Sequence, residues 1–251
     1  MLPQWLPASQ PPPLESDDVH VWRFALDIGE ALLERLRESL TEDERRRAAR
    51  FHFEKDRRHF IAGRGSLRFL IGAYRGCPPE EVRFSYGNRG KPRLVDEDNT
   101  DRLRFNLTHS HGLALLAVTS VREIGVDIER LRDMENDGEP LAERFFSPLE
   151  ASALRSLPPE QRREAFFRCW TRKEAYIKAK GEGLSLPLEQ FDVSLHPREP
   201  AALLATRFDP PDAQRWSMRH LAPAEGFVGA LAVEGHAWRL WCGEWNALTF
   251  E

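Results

Sequence analysis

Cysteine is scarce in this chain of 251 residues: Cys77, Cys169 and Cys242 stand far apart, and no two of them form a CxxC pair. An odd, scattered set of this kind argues against a disulfide framework and against a structural zinc site, and it suits a reducing cytoplasm. No stretch approaches the roughly 20 uninterrupted apolar residues of a membrane span. Since the N-terminus also lacks a basic start followed by an apolar run, we expect a cytoplasmic protein without a membrane span or signal peptide.

A strong excess of positive charge is also missing, since the net charge is −4. The protein as a whole is therefore not expected to bind polyanions such as nucleic acids. Forty-one per cent apolar and 30% charged residues are typical of a globular protein. The charge is uneven, however: residues 35–75 contain eleven arginines and one lysine against six acids. This segment could bind phosphates or an acidic partner, or it could be a solvated helix face.

The order of predicted elements favours an α+β fold with mainly antiparallel sheet, because helices are followed by strands in both halves of the chain. Residues 1–18 contain five prolines and few residues suited to a core, and we predict a flexible tail there. We divide the remainder into an N-terminal half, residues 19–121, and a C-terminal half, residues 122–251.

Three helix ends carry clear sequence signals. Thr41 with Glu44 predicts a capping box, and Ser147-Pro148-Leu149-Glu150 predicts a second one with proline in the first turn. Apolar spacing predicts a helix over residues 160–180, which Gly181 would end.

Two acids, Asp127 and Glu129, alternate with Ile124, Val126 and Ile128 in a predicted strand. Alternation places both carboxylates on one face and the apolar residues on the other. Two adjacent carboxylates repel each other unless a cation neutralises them, and Mg²⁺ prefers few carboxylates together with water and substrate phosphates. By themselves, however, the two acids are more typical of a solvated strand face.

A second cluster comprises Glu174 and Lys178, one turn apart on the predicted helix. They could form an ordinary ion pair worth about 0.5 kcal/mol. They could also supply a third metal ligand and a lysine that neutralises phosphate, as in metal-assisted phosphoryl transfer.

The corner His109-Ser110-His111 allows three interpretations: a two-histidine metal arm, a phosphate-binding corner, or histidines that bond only to the backbone. Gly63 and Gly65 lie inside an apolar helical pattern, so we interpret them as a close-packing feature and not as a phosphate loop.

Three segments together resemble the signature blocks of the 4′-phosphopantetheinyl transferase superfamily. They are Phe105-Asn106-Leu107-Thr108-His109-Ser110, Ile124-Gly125-Val126-Asp127-Ile128-Glu129 and Trp170-Thr171-Arg172-Lys173-Glu174-Ala175-Tyr176-Ile177-Lys178. The turn Gly90-Lys91-Pro92 and the continuation Gly181-Glu182-Gly183-Leu184-Ser185 resemble its large monomeric class, typified by the surfactin-synthetase-activating enzyme. The resemblance runs from about Arg45 to Val233.

The resemblance implies a pseudo-dimer of two similar α+β halves, with coenzyme A bound in the cleft between them. Asp127, Glu129 and Glu174 match the family's ligands for Mg²⁺, which Mn²⁺ could replace. Lys178 matches the lysine that contacts the diphosphate of coenzyme A.

Four further residues match contacts to coenzyme A in that family. Thr108 and His109 match the corner that touches its phosphates, and Lys91 matches the residue near the adenosine end. Arg47 falls, in a loose alignment, where the family has a basic contact to the 3′-phosphate.

The activity implied is transfer of the phosphopantetheine arm to a serine of an apo acyl or peptidyl carrier protein by a monomeric enzyme, with Glu174 as candidate base, directly or through a metal-bound water. We expect the carrier to dock between Arg132 and Arg172, on apolar residues such as Phe145 and Phe146. Two alternatives are a Mg²⁺-dependent nuclease or phosphodiesterase, and a non-catalytic module whose arginines bind an acidic partner.

Overall fold

The computed structural model describes residues 3–87, 90–95, 102–181, 183 and 186–246. The predicted turn residues Asn88, Arg89, Glu182, Leu184 and Ser185 therefore lie outside the described part. The strands are β1 (Leu6–Ala8), β2 (Asp18–Ala25), β3 (Phe84–Tyr86), β4 (Pro92–Leu94), β5 (Arg104–Ser110), β6 (Leu113–Thr119), β7 (Ile124–Arg130), β8 (Phe191–Val193), β9 (Leu203–Thr206), β10 (Trp216–Leu221), β11 (Phe227–Glu234) and β12 (Arg239–Trp245). The α-helices are α1 (Glu30–Glu38), α2 (Glu42–Ala49), α3 (Glu54–Arg75), α4 (Glu139–Phe145), α5 (Pro148–Ser156) and α6 (Pro159–Lys180).

The first sheet has the strand order β1-β12-β2-β6-β5, in which β2, β6 and β5 pair antiparallel. Strand β2 directs Trp22 and Phe24 to one face, where they pack with Leu67, Leu70 and other buried residues of α3. The 22-residue helix α3 ends at Gly76, which has the left-handed conformation that glycine adopts without steric cost.

The second sheet, β10-β11-β7, is antiparallel throughout and is covered by α6. Like α3, this helix has 22 residues and ends at a left-handed glycine, Gly181. The two sheets meet through a third apolar cluster, to which the first contributes Val19 and Val21 and the second Val126 and Ile128. This arrangement confirms the α+β fold and fits the pseudo-dimer of two halves.

The helix-end signals correspond to real caps. The side chains of Thr41 and Ser147 accept hydrogen bonds from the backbone N–H groups of Glu44 and Glu150. The side chains of these two glutamates accept in turn from the backbone N–H groups of Thr41 and Ser147, as expected for capping boxes. Gly65 lies in a close crossing of α1 and α3, because a Cβ there would stand 2.6 Å from Leu36 Cβ. The close-packing interpretation of this glycine is therefore confirmed.

Both ends of the chain depart from the sequence-based division. Strand β12 runs parallel to β2 and so joins the sheet of the first half. Residues 6–8, within the predicted flexible tail, pair with β12, and Trp5 Nε1 donates to Ala222 O at 3.0 Å. Strand pairing uses backbone groups, so a proline-rich edge segment can join the sheet, and Trp5 and Leu14 also pack against the apolar clusters. The predicted boundary at 121/122 lies in the bend between β6 and β7.

No helix in the described ranges combines the length and the apolar character that crossing a membrane requires.

Candidate active site

Strands β5 and β7, one from each sheet, lie side by side and are joined by polar side chains of β5. Asn106 Oδ1 accepts the Val126 N–H at 2.8 Å, and Ser110 Oγ accepts the Arg130 N–H at 3.3 Å. Between these two bridges, Thr108 Oγ1 donates to Asp127 Oδ1 at 3.2 Å. The alternate residues 106, 108 and 110 therefore fix the register of the seam between the two halves.

A glycine brings β7 unusually close to α6. A Cβ at Gly125 would stand 2.1 Å from Ala175 O and 2.4 Å from Ala179 N, so no larger residue fits there without moving the backbone. Asp127 follows two residues later on the strand. Its side chain consequently meets the helix at Lys178.

The centre of the site is Asp127, which is buried. Lys178 Nζ donates to Asp127 Oδ1 at 2.5 Å and to Thr108 Oγ1 at 3.1 Å. The buried Oδ2 of Asp127 has no hydrogen-bond partner within the described ranges. Thr108, which the resemblance assigned to a phosphate-binding corner, is thus part of the acidic centre.

Asp127 has a raised pKa. Burial is the main cause, Glu174 and Glu129 add to it, and Lys178 acts in the opposite direction, which together bring the pKa of Asp127 to about 6. Burial and the charge of Glu129 likewise raise the pKa of Glu174, again against Lys178. One lysine therefore does not offset the cost of ionising these carboxylates in their partly buried setting.

Glu129 lies nearer to the solvent than Asp127, on the same face of β7. Its Oε2 accepts hydrogen bonds from Ser110 Oγ at 3.2 Å and from Arg132 Nη1 at 3.4 Å. His109, between Thr108 and Ser110 on β5, is exposed. The pKa of His109 is lowered, mainly because nearby protein removes part of the hydration of its ring. The charges of His59 and Lys178 lower this pKa further.

This donor set suits a hard divalent cation. All candidate ligands are carboxylate oxygens, their mutual repulsion would be relieved by a cation, and one buried oxygen of Asp127 is left unpaired. In the part of the chain that the structure describes, no three histidine, cysteine, aspartate or glutamate side chains converge as a ready-made metal cage. The ammonium of Lys178 is instead the immediate cationic partner of Asp127.

We expect the Asp127→Asn substitution to stabilise the metal-free protein. The pKa of Asp127 is about 6 in the folded protein against the ordinary 3.8, so the folded state loses stability as the pH rises through this interval. At about pH 7.5 the full penalty is present, and removing the charge should raise the free energy of unfolding by roughly 1–3 kcal/mol.

Urea denaturation of the chelated proteins measures this effect. The gain should shrink when the pH is lowered towards about 5, because the wild-type carboxyl then takes up its proton. Asp133→Asn is a suitable control, because Asp133 is 97% exposed and forms only a surface ion pair with Arg163. Lower stability of Asp127→Asn at neutral pH would contradict the expectation.

Two of the predicted coenzyme A contacts lie elsewhere. Lys91 directs its ammonium to carbonyl oxygens at the end of α6, the nearest being Lys178 O at 2.7 Å. Arg47 lies on α2 with its guanidinium 5.3 Å above the Phe60 ring, and it lines an open pocket of about 580 Å³ with Arg46 and Arg50. Hydrogen bonds thus join Thr108, Asp127 and Lys178, Glu129 and Glu174 lie close enough to raise the pKa of Asp127, and Lys91 and Arg47 belong to other surroundings.

A buried ion pair that the sequence analysis did not identify supports α6. Lys173 Nζ lies 2.7 Å from Glu150 Oε2 and also donates to the carbonyls of Leu188 and Phe191. Both side chains of the pair are almost fully buried. In the sequence, Lys173 lies within an apolar helical stretch and Glu150 belongs to a predicted capping box. Neither pattern identifies a partner 23 residues away.

The predicted docking face needs a correction. Phe146 is buried, with its ring 5.1 Å from that of Phe166, and Phe145 packs edge-on against Trp170. Phe146 is therefore not accessible for docking, whereas Phe145 is half-buried. Within this segment the exposed large apolar side chains are Leu141 and Leu149.

Comparison with known families gives two adjoining matches. A profile described as "4'-phosphopantetheinyl transferase superfamily" matches residues 123–232. A second, described as "4'-phosphopantetheinyl transferase, N-terminal", matches residues 22–121. The two matches meet in the bend between β6 and β7.

Individual relatives cover much of the chain. It is 47% identical over 235 residues to the 4′-phosphopantetheinyl transferase HetI of Nostoc sp., which is 94% of this chain and 95% of that protein. It is 32% identical over 163 residues to the transferase Sfp of Bacillus subtilis, covering 65% and 70% of the two chains. The human L-aminoadipate-semialdehyde dehydrogenase-phosphopantetheinyl transferase is 28% identical over 166 residues, or 63% of this chain and 54% of its own.

Proposed function

Because the chain belongs to the 4′-phosphopantetheinyl transferase superfamily, we propose that Asp127, Glu129 and Glu174 bind Mg²⁺ at the site where Lys178 contacts the diphosphate of coenzyme A. The chain is a 4′-phosphopantetheinyl transferase: it transfers the phosphopantetheine arm of coenzyme A to a serine of an apo carrier protein. The matched families and relatives described above do not support the nuclease or phosphodiesterase alternative.

The reaction exchanges one phosphorus–oxygen bond for another. The carrier serine oxygen forms a bond to the phosphorus that bears the pantetheine arm, and the bond from that phosphorus to the bridging oxygen breaks. The leaving group is 3′,5′-adenosine diphosphate. Negative charge develops on the diphosphate oxygens, and the serine proton must be removed.

The observation that carries the proposal is the acidic centre itself: Glu174 and Glu129 lie close enough to raise the pKa of Asp127, whose buried Oδ2 has no hydrogen-bond partner among the described residues. When bound there, Mg²⁺ would neutralise charge on the diphosphate. Lys178 has a cationic side chain beside Asp127 that is 28% exposed, so it can also reach a phosphate oxygen. Thr108 holds this lysine in position through its hydroxyl.

Glu174 is the proposed general base. In the metal-free protein the pKa of Glu174 is raised, mainly by burial, which favours its uptake of a proton. Burial, the largest cause of the shift, also limits competition from bulk water. The base acts on the serine directly or through a metal-bound water, and both routes use the same side chain.

Metal dependence tests the proposed ligand set. Exhaustive chelation should abolish transfer, and Mg²⁺ or Mn²⁺ should restore it where Zn²⁺ does poorly, because all ligands are oxygen atoms. The assay follows, by mass spectrometry, the gain of one phosphopantetheine on a panel of apo carrier proteins. Full activity after chelation would contradict the assignment of Asp127 and Glu129.

We also propose that the enzyme is a cytoplasmic monomer. Cys77, Cys169 and Cys242 are free thiols, which supports a reducing compartment. Two halves within one chain supply both sides of the seam, so a second copy is not needed to complete the site.

A further inference from the structure

Lys91 has surroundings that its predicted contact to coenzyme A does not explain. It stands between Gly90 and β4, and its side chain is only 15% exposed. Nζ donates to Lys178 O at 2.7 Å, Ile124 O at 3.3 Å and Ala179 O at 3.4 Å. An ammonium has three donors, and here each one has a backbone carbonyl in reach.

Two of these acceptors belong to the last turn of α6. Carbonyls in the last turn of a helix have no partner within the helix, and the negative end of the helix dipole lies there. Lys178 O and Ala179 O therefore gain a charged donor that the helix cannot supply. Burial lowers the pKa of Lys91, against the charge of Glu123, whose carboxylate lies 3.7 Å from Nζ.

The third acceptor belongs to the first residue of β7. Ile124 lies three residues before Asp127, and Lys178 carries the ammonium that meets Asp127 at 2.5 Å. One side chain from the first half thus binds the backbones of both elements whose side chains form the acidic centre. Gly125, next to Ile124, is also where β7 and α6 approach most closely.

We propose that Lys91 is a positioning residue: it fixes the end of α6 against the start of β7, and through them the placement of Lys178 relative to Asp127. This role rests on the function proposed for that centre. In this role the Lys91 ammonium holds the protein backbone and does not contact the adenosine end of coenzyme A, the contact that the sequence resemblance implied.

The Lys91→Met variant separates the two roles. Loss of the ammonium should lower kcat about 10- to 100-fold at saturating coenzyme A, the size expected for a misplaced catalytic group. Competitive inhibition by 3′-AMP, which presents only the adenosine end, should change by less than about twofold, since no contact to that end is lost. Amide hydrogen exchange at Lys180 and Gly181 should become faster, because the last turn of α6 loses its anchor.

Two variants complete the comparison. Lys91→Arg retains the charge and several donors and should recover part of kcat. Lys91→Arg is the milder substitution, so inhibition by 3′-AMP is measured on this variant if Lys91→Met does not fold. Arg198→Met removes an exposed charge from the turn between β8 and β9 and should leave kcat and exchange unchanged.

Weaker 3′-AMP binding with unchanged kcat and exchange in Lys91→Met would overturn the positioning role and restore the adenosine contact. Lys178→Met, assayed in parallel, separates a failure of the function proposed for the acidic centre from a failure of the positioning role of Lys91. If Lys178→Met retains full turnover, the function proposed for the acidic centre fails. If Lys178→Met is impaired and Lys91→Met is not, only the positioning role fails.

Discussion

Replacement of Glu174 by glutamine should reduce kcat by at least about 100-fold, the loss expected when a general base is removed. Glutamine keeps the shape and hydrogen-bonding capacity of glutamate but removes its charge and basicity. Because Glu174 acts mainly when the serine proton leaves, the affinity for coenzyme A at saturating Mg²⁺ should fall much less.

Lys178→Met should fail in a different way. The ammonium contacts the diphosphate before and during transfer, so its loss should weaken binding of coenzyme A as well as turnover. Isothermal titration of coenzyme A alongside kcat for both variants gives the comparison. Glu164→Gln is the matched control, because it makes the same change on the same helix at a residue that pairs with Arg168. Equal losses of binding in both variants, with no separate effect on kcat, would mean that Glu174 serves only as a ligand.

Gly125→Ala should impair both stability and activity. The new Cβ would overlap backbone atoms of Ala175 and Ala179, which cannot rotate away as a side chain can. Strand β7 and helix α6 must therefore separate, at a cost of about 1–3 kcal/mol or more for an overpacked contact. Asp127 and Lys178 move apart with them, and a displacement of about 1 Å at a catalytic centre can lower the rate by about 100-fold.

Urea denaturation and single-turnover transfer measure the two effects of Gly125→Ala. Gly29→Ala is the control, because a Cβ at Gly29 meets nothing within 4 Å and its φ of −66° suits any residue. The same substitution should there leave the free energy of unfolding within about 0.5 kcal/mol of wild type. Wild-type stability and turnover in Gly125→Ala would show that the close approach of β7 to α6 is not required.

Local rules predicted the parts of the site that depend on neighbouring residues. The alternation along β7 places Asp127 and Glu129 on one face and buries Ile128 on the other. The end of α6 at Gly181 follows from the left-handed conformation that glycine favours. Each of these features is determined within a few residues along the chain.

Contacts between distant segments could not be predicted in this way. The parallel return of β12 to β2 depends on which edge of the first sheet is open, and no local pattern encodes that choice. The partners of Lys91 lie 33 to 88 residues away. We expected Phe146 on the docking face of the carrier protein, and no local pattern identified Phe166 as the residue that covers it.

Direct titration with Mn²⁺ in the presence of coenzyme A, followed by electron paramagnetic resonance, tests the central claim that the carboxylates at the seam bind the metal. The wild-type chain should bind one Mn²⁺, and Asp127→Asn and Glu174→Gln should each weaken binding by at least about tenfold, because each removes a charged oxygen ligand. Since Asp127→Asn is expected to be more stable than the wild type when metal-free, its loss of binding cannot be attributed to unfolding. Equal Mn²⁺ affinity in the wild type and both variants would contradict the account and would require the metal to bind elsewhere.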